Sequence, residues 1–270
     1  MKIRVEKWFA WILVATQSAW SAVGTAASRR PNVLFILGMA LIAGGLCRSP
    51  GVETRATPNR WENEIEQFEA SDKTNPPPSR AILFIGSSSI RLWKNLPEYF
   101  PGQPVFSRGF GGSEMSDSVV FADRIVIPYE PRMVLVYAGD NDLANGKSPA
   151  QVLADFQAFV RKVHTALPQT LIGYIAIKPS LARRSLLPQI KTADQIIRHY
   201  ARREKGVRFI DVFTPMLDRA GEPRADLFVQ DGLHLNDKGY ALWASIIGPM
   251  IRKSETPGRK DARTAHPGQG

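Results

Sequence analysis

Four short segments hold the side chains able to do chemistry: Gly86-Ser87-Ser88-Ser89, Gly109-Phe110-Gly111-Gly112-Ser113, Gly139-Asp140-Asn141-Asp142 and Asp231-Gly232-Leu233-His234. In the last, the spacing on a tight turn can set the Asp231 carboxylate against the imidazole Nδ1–H of His234. That contact fixes the tautomer and favours the imidazolium formed during proton transfer. A serine hydroxyl is a poor nucleophile until such a base takes its proton. Gly86 lets the backbone turn sharply and expose a hydroxyl from Ser87, Ser88 or Ser89. The glycine loop and Asn141 can then offer N–H donors to a developing oxyanion, each worth ~3–4 kcal/mol. Singly, each segment has a plainer explanation. A glycine-serine run is most often a turn, Asp-x-x-His commonly starts a helix, and Asn141 suits a turn. A phosphate cradle is not supported, because no Gly-Lys-Ser/Thr follows the glycine.

Such residues need a frame that gathers them. Short apolar runs at Ala81–Ile85, Val105–Ser107, Met133–Tyr137, Leu171–Ile177 and Val207–Val212 predict five strands. Segments with helical spacing lie at Trp61–Ala70, Pro149–Leu167, Leu186–Arg203 and Asn236–Arg252. Pro76, Pro77 and Pro78 must stop the first helix, since proline cannot continue one. Apolar strands alternating with amphipathic helices predict an α/β fold whose parallel sheet is covered on both faces. Ligands of such sheets bind beyond the carboxyl ends of the strands, where the chemically able segments fall.

These segments, in this order, resemble the sequence blocks of the SGNH hydrolase superfamily, also called GDSL-like lipases and acylhydrolases. The resemblance runs from about residue 80 to 252 and is closest to the branch whose first block reads GSSSI. It implies a three-layer α/β/α sandwich, flavodoxin-like, with about five parallel strands. It also implies Ser88 as nucleophile, with Ser87 standing where the family usually has Asp. Asp231 and His234 complete the implied catalytic triad. The Gly112 amide, the Asn141 side chain and the Ser88 amide are implied as the oxyanion donors. The implied activity is a serine ester hydrolase working through an acyl-enzyme. Its substrate would be a small acyl ester, such as an acetylated carbohydrate or a short-chain or lysophospholipid ester. An O-acyltransferase on envelope glycans would use the same residues. A catalytically dead, carbohydrate-binding member is the reading from another class, and the intact Ser88, Asp231 and His234 argue against it.

The net charge of +10 does not mark a nucleic-acid binder, because it sits in the termini. Residues 1–60 carry +6 and residues 252–270 carry +3, which leaves +1 for residues 61–251. A nucleic-acid footprint requires a basic stripe on the folded body. No cofactor is expected. No metal site is expected either, because the sequence shows no clustered ligands. His164 and His199 lie within helical segments and His266 in the tail, away from the blocks. Trp93 and Phe110 fall near the rim as possible pocket walls, with a place in the core the stronger expectation for Trp93.

Residues 1–51 read as a signal or anchor segment, 52–253 as the hydrolase domain and 254–270 as a disordered tail. Lys2, Arg4 and Lys7 precede an apolar stretch and then small residues, in signal-peptide order. Arg29 and Arg30 precede a second apolar run, Val33 to Cys47, short of the ~20 residues that a membrane span needs. Export to the periplasm or beyond is the expectation, with membrane association through this segment as the alternative. Cys47 is the only cysteine, so no internal disulfide can form.

Overall fold

The computed structural model describes residues 60–253. The expected signal or anchor segment, Cys47, the expected tail and His266 lie outside the described residues. The described residues all belong to one compact unit. In chain order they form α1 (Glu62–Thr74), β1 (Ile82–Gly86), α2 (Ser88–Arg91), β2 (Val105–Gly109), α3 (Met115–Ile125), β3 (Met133–Tyr137) and α4 (Asp140–Ala144). There follow α5 (Pro149–Ala166), β4 (Leu171–Ile175), α6 (Leu187–Arg203), β5 (Val207–Ile210) and α7 (Asp237–Lys253). No helix among the described residues is long and apolar enough to cross a membrane.

The five strands make one parallel sheet in the order β2-β1-β3-β4-β5. This is the α/β sandwich expected from the sequence. Every residue of β1 and β3 is buried, as a sheet covered on both faces requires. Side chains alternate between the faces. Val136 pairs with Tyr174, so Tyr137 and Tyr174 point to opposite sides. Tyr174 packs on Phe156 of α5, ring centroids 4.7 Å apart, and Tyr137 packs on Trp243 of α7 at 5.0 Å. The chain leaves β1 towards one edge to build β2, then returns past β1 to build β3. The gap beyond the carboxyl ends of β1 and β3 is therefore the topological switch point, where sheets of this order bind ligands.

The structure corrects several boundaries. β4 stops at Ile175 and β5 at Ile210, not at Ile177 and Val212. The last rung is Ala176 N–H to Ile210 O at 2.9 Å. Beyond it the Ile177 amide donates to Asp194 Oδ1 of α6, and Val212 N–H turns back to Ile210 O. The side chain of Asp194 thus replaces a neighbouring strand. α3 was absent from the sequence reading. Its buried positions Met115, Ser118, Phe121, Ala122 and Ile125 follow helical spacing, and Glu114 with Asp117 forms a capping box.

Gly86 ends β1 with φ +138°, and a β-carbon there would lie 1.9 Å from the Tyr137 carbonyl oxygen. Both the backbone conformation and the β1–β3 spacing therefore exclude a side chain. Gly146 has φ +92° but nothing within 4 Å of its would-be β-carbon. Gly86→Ala is expected to cost more than ~3 kcal/mol in urea unfolding of the full chain. Gly146→Ala should cost about 1–2 kcal/mol, the backbone penalty alone. Equal shifts would show that the steric reading of Gly86 is wrong.

Candidate active site

The serine turn is set by Gly86. Ser87 N–H donates to Tyr137 O at 3.1 Å, and Phe110 N–H donates to Gly86 O at 2.9 Å. The turn is thereby fastened to both neighbouring strands as it leaves the sheet. Ser88 opens α2. Ser87 and Ser89 are fully buried, while Ser88 remains partly accessible. The three adjacent hydroxyls are thus separated by the turn, and only that of Ser88 reaches the rim.

Asp231 and His234 arrive on a turn between β5 and α7. Val229 N–H donates to His234 O at 2.9 Å, and Gly232 N–H donates to Val229 O at 3.0 Å. Asn236 caps α7 by accepting the Gly239 amide at 3.1 Å. Its own amide group donates to Asp226 O and Phe228 O. α7 is in turn tied to the serine turn, because Tyr240 O–H donates to Ser89 O at 3.0 Å.

Within this frame His234 Nδ1 lies 2.6 Å from Asp231 Oδ2, and His234 Nε2 lies 3.0 Å from Ser88 Oγ. A carboxylate only accepts, so Nδ1 carries the proton and Nε2 offers its lone pair to the serine hydroxyl. Asp231 Oδ1 also accepts the Leu233 and His234 amides at 2.8 and 2.9 Å. Burial opposes ionisation of Asp231, but the His234 side chain and the two amides outweigh it and lower its pKa to about 2. Asp231 is therefore a carboxylate throughout the neutral range, ready to stabilise an imidazolium.

Asn141 lies buried in the first turn of α4, at the end of β3. Its Nδ2 donates to Ser113 O at 3.0 Å, and its Oδ1 accepts from Arg183 Nη2 at 2.8 Å. One hydrogen of the amide NH₂ remains for another acceptor. Gly112 sits in the loop after β2 with φ +78°, and its carbonyl accepts from Arg60 Nη2 at 2.7 Å. The two loops are joined by Asp142. Its carboxylate accepts the Met115 amide through both oxygens at 3.1 Å and pairs with Lys147 Nζ at 3.1 Å.

The structure thus brings Ser88, Asp231 and His234 into one hydrogen-bonded line, and sets Gly112 in the loop after β2 and Asn141 in the first turn of α4, both leaving the same end of the sheet. Phe110 is not a pocket wall. It is fully buried, packed edge-on against Trp61 and Phe121. Trp93 is core, in contact with Phe84, Phe100, Tyr240 and Trp243. His164 Nε2 is bonded to Thr170 O and His199 is exposed on α6. Among the described residues no group of three or more His, Cys, Asp or Glu is gathered as metal ligands would be.

Four residues near the site had no role in the sequence reading: Asp140, Asp142, Lys178 and Arg183. Lys178 is only 1% exposed, and its Nζ donates to Asp140 Oδ2 at 2.9 Å and Tyr137 OH at 3.0 Å. Burial works against ionisation of Asp140, but the charges of Lys178 and Arg183 prevail and its pKa is lowered. Asp140 and Asp142 flank Asn141 in sequence, which was the available signal. Lys178 and Arg183 gave none, because Lys178 stands in no recognisable motif and Arg183 stands beside the equivalent Arg184.

A groove of about 990 Å³ runs beside the Asp231–His234 turn, with Leu92, Lys94, Glu98, Tyr99 and Asp237 among its walls. None of the curated proteins matches the chain in sequence. Solved structures do match in fold. A Streptococcus pneumonia protein described as a platelet activating factor is 22% identical, with a TM-score of 0.63 over 70% of this chain and 92% of its own. A GDSL-like lipase from Bacteroides thetaiotaomicron is 18% identical, with a TM-score of 0.63 over 70% and 98%. A carbohydrate esterase family 3 protein from Talaromyces cellulolyticus is 17% identical, with a TM-score of 0.51 over 64% and 96%. The sequence pattern of the GDSL-like Lipase/Acylhydrolase family matches residues 79–242, more than half of the chain. The chain therefore belongs to the GDSL-like Lipase/Acylhydrolase family and is a carboxylic ester hydrolase of that kind.

Proposed function

We propose that Ser88, His234 and Asp231 form the catalytic triad of this hydrolase. The observation that carries the reading is the 3.0 Å contact of His234 Nε2 with Ser88 Oγ, made while Nδ1 is held by Asp231. Ser88 Oγ attacks the ester carbonyl carbon and His234 takes its proton. The carbonyl oxygen becomes an oxyanion, held by the Gly112 and Ser88 amides and the remaining Asn141 N–H. As the tetrahedral intermediate collapses, the C–O bond to the alcohol breaks and His234 returns the proton to the leaving oxygen. Water, deprotonated by His234, then attacks the acyl-enzyme, and collapse of the second intermediate frees the acid and restores Ser88–OH.

The alcohol part of the substrate must sit beside the group that protonates it, so the groove along the Asp231–His234 turn suits it. Lys94, Glu98 and Asp237 beside Tyr99 favour a polyhydroxylated alcohol over a lipid tail. The fold neighbour from Talaromyces cellulolyticus is itself named a carbohydrate esterase. We therefore place acetylated carbohydrate ahead of short-chain and lysophospholipid esters. Export of the enzyme by its N-terminal segment is proposed from sequence alone.

Ser88→Ala is expected to lower kcat on an aryl acetate by at least roughly 10³-fold, and the Ser88→Ala/His234→Ala double variant by no more, since triad members act as a unit. Undiminished turnover by Ser88→Ala would overturn the triad. Asp231→Asn should lower kcat by roughly 10³–10⁴-fold with little change in melting temperature, because an amide NH₂ against Nδ1 imposes the wrong tautomer. With Asp231 ionised above about pH 2, its protonation adds nothing to the acid limb in the usual assay range. The acid limb of log(kcat/KM) should therefore show no second-proton step above about pH 4, and a slope of two there would contradict this. In a substrate panel, kcat/KM should be higher for acetylated sugars than for lysophospholipids, and the reverse order would remove the carbohydrate reading.

A further inference from the structure

An asparagine can serve an oxyanion only if its NH₂ end, not its carbonyl end, faces the nucleophile. The two ends have nearly the same shape, so packing alone does not choose between them. Hydrogen-bond chemistry does. Arg183 Nη2 donates to Asn141 Oδ1 at 2.8 Å, and a guanidinium has donors only, so the carbonyl end must face it. The Ser113 carbonyl accepts only, so it takes one hydrogen of Nδ2 at 3.0 Å. The second hydrogen is left with a defined direction.

Arg183 is itself held from two sides. Its Nη1 lies 3.0 Å from Asp140 Oδ2, and the same oxygen accepts from the buried Lys178 Nζ at 2.9 Å. The preceding residue, Ala182, donates its amide to Gly232 O at 3.1 Å, inside the Asp231–His234 turn. Buried charges of this kind do not stabilise a fold more than well-packed apolar side chains would. The arrangement instead delivers one rigid donor to one carbonyl oxygen.

We propose that Arg183 is a positioning residue for ester hydrolysis: it orients the Asn141 amide towards the oxyanion, and Asp140, itself fixed by Lys178, pairs with it. The inference rests on the oxyanion role proposed for Asn141. Arg183 also polarises that amide. A cation at Oδ1 draws electron density from Nδ2 and makes the remaining N–H a stronger donor.

Two measurements on the full chain test this. The first is a double-mutant cycle on aryl acetate hydrolysis. Asn141→Ala should lower kcat by roughly 10²–10³-fold. Arg183→Met should lower kcat by roughly 10–100-fold with KM nearly unchanged. The double variant should lie within about twofold of Asn141→Ala alone, because Arg183 acts through Asn141. Losses that multiply overturn the proposal. Should Arg183→Met fail to fold, Arg183→Lys takes its place, since it keeps the charge beside Asp140 but loses the fork that reaches both partners. The second measurement needs no turnover. The two Asn141 side-chain amide protons are identified in a ¹⁵N-resolved spectrum by their loss in Asn141→Ala. They should be well separated in the wild-type protein and move together in the Arg183 variant. An unchanged pair overturns the proposal. A failure of Ser88 as nucleophile would leave this second result standing, so the two readings fail separately.

Discussion

A single hydrogen bond, between His234 Nε2 and Ser88 Oγ, joins side chains 146 residues apart. Neither residue lies on a strand. Ser88 owes its place to Gly86, whose backbone runs against the Tyr137 carbonyl and then turns off the sheet. His234 owes its place to a turn tied to Asp231, Val229 and the capped start of α7. The bond depends on the sheet order, because only the split between β1 and β3 leaves an open edge at the ends of the strands. Tyr240 then closes the circuit by bonding α7 to the carbonyl of Ser89.

Around that bond the protein keeps polar groups where an apolar core would serve stability as well or better. Lys178 and Asp140 are almost wholly enclosed, and Asp142 is sealed beneath the loop that carries Gly112. Each charge has a partner at hydrogen-bond distance, which makes its burial tolerable. Together they form a polar layer between the apolar sheet and the open rim. Ester hydrolysis develops negative charge on one oxygen, and in the proposed mechanism fixed donors, Asn141 among them with Arg183 at its carbonyl end, meet that charge with little rearrangement.

The position of the candidate site was legible in the sequence because polar clusters follow apolar strands at the positions where an α/β sheet exposes its carboxyl edge. Asp231 and His234 could be paired from spacing alone. The three consecutive serines could not be ranked by spacing, and resemblance to a family was needed to choose Ser88. In the structure the direction of the turn separates them, sealing Ser87 and Ser89 in the core. Arg183 and Arg184 look alike in sequence, yet Arg184 reaches outward to Glu222 while Arg183 reaches inward to Asn141. Nothing local distinguishes them, because the choice is made by a loop after β4 folding over a turn after β3. Phe110 misled for a similar reason. Glycines on both sides suggest an exposed loop, but Trp61 and Phe121 enclose its ring.

The carboxylate of Asp142 clasps the Met115 amide with both oxygens and also holds Lys147. It therefore fastens the loop bearing Gly112 to the helix bearing Asn141. The two proposed anion donors, from separate crossovers, are thus held in one unit, with the width between them fixed before any ester enters. The entropy lost in ordering those donors is incurred once, when the chain folds, and not again at each catalytic cycle. On the proposed reading, substrate selection then falls to the groove beside His234, whose walls include none of the residues of that clasp.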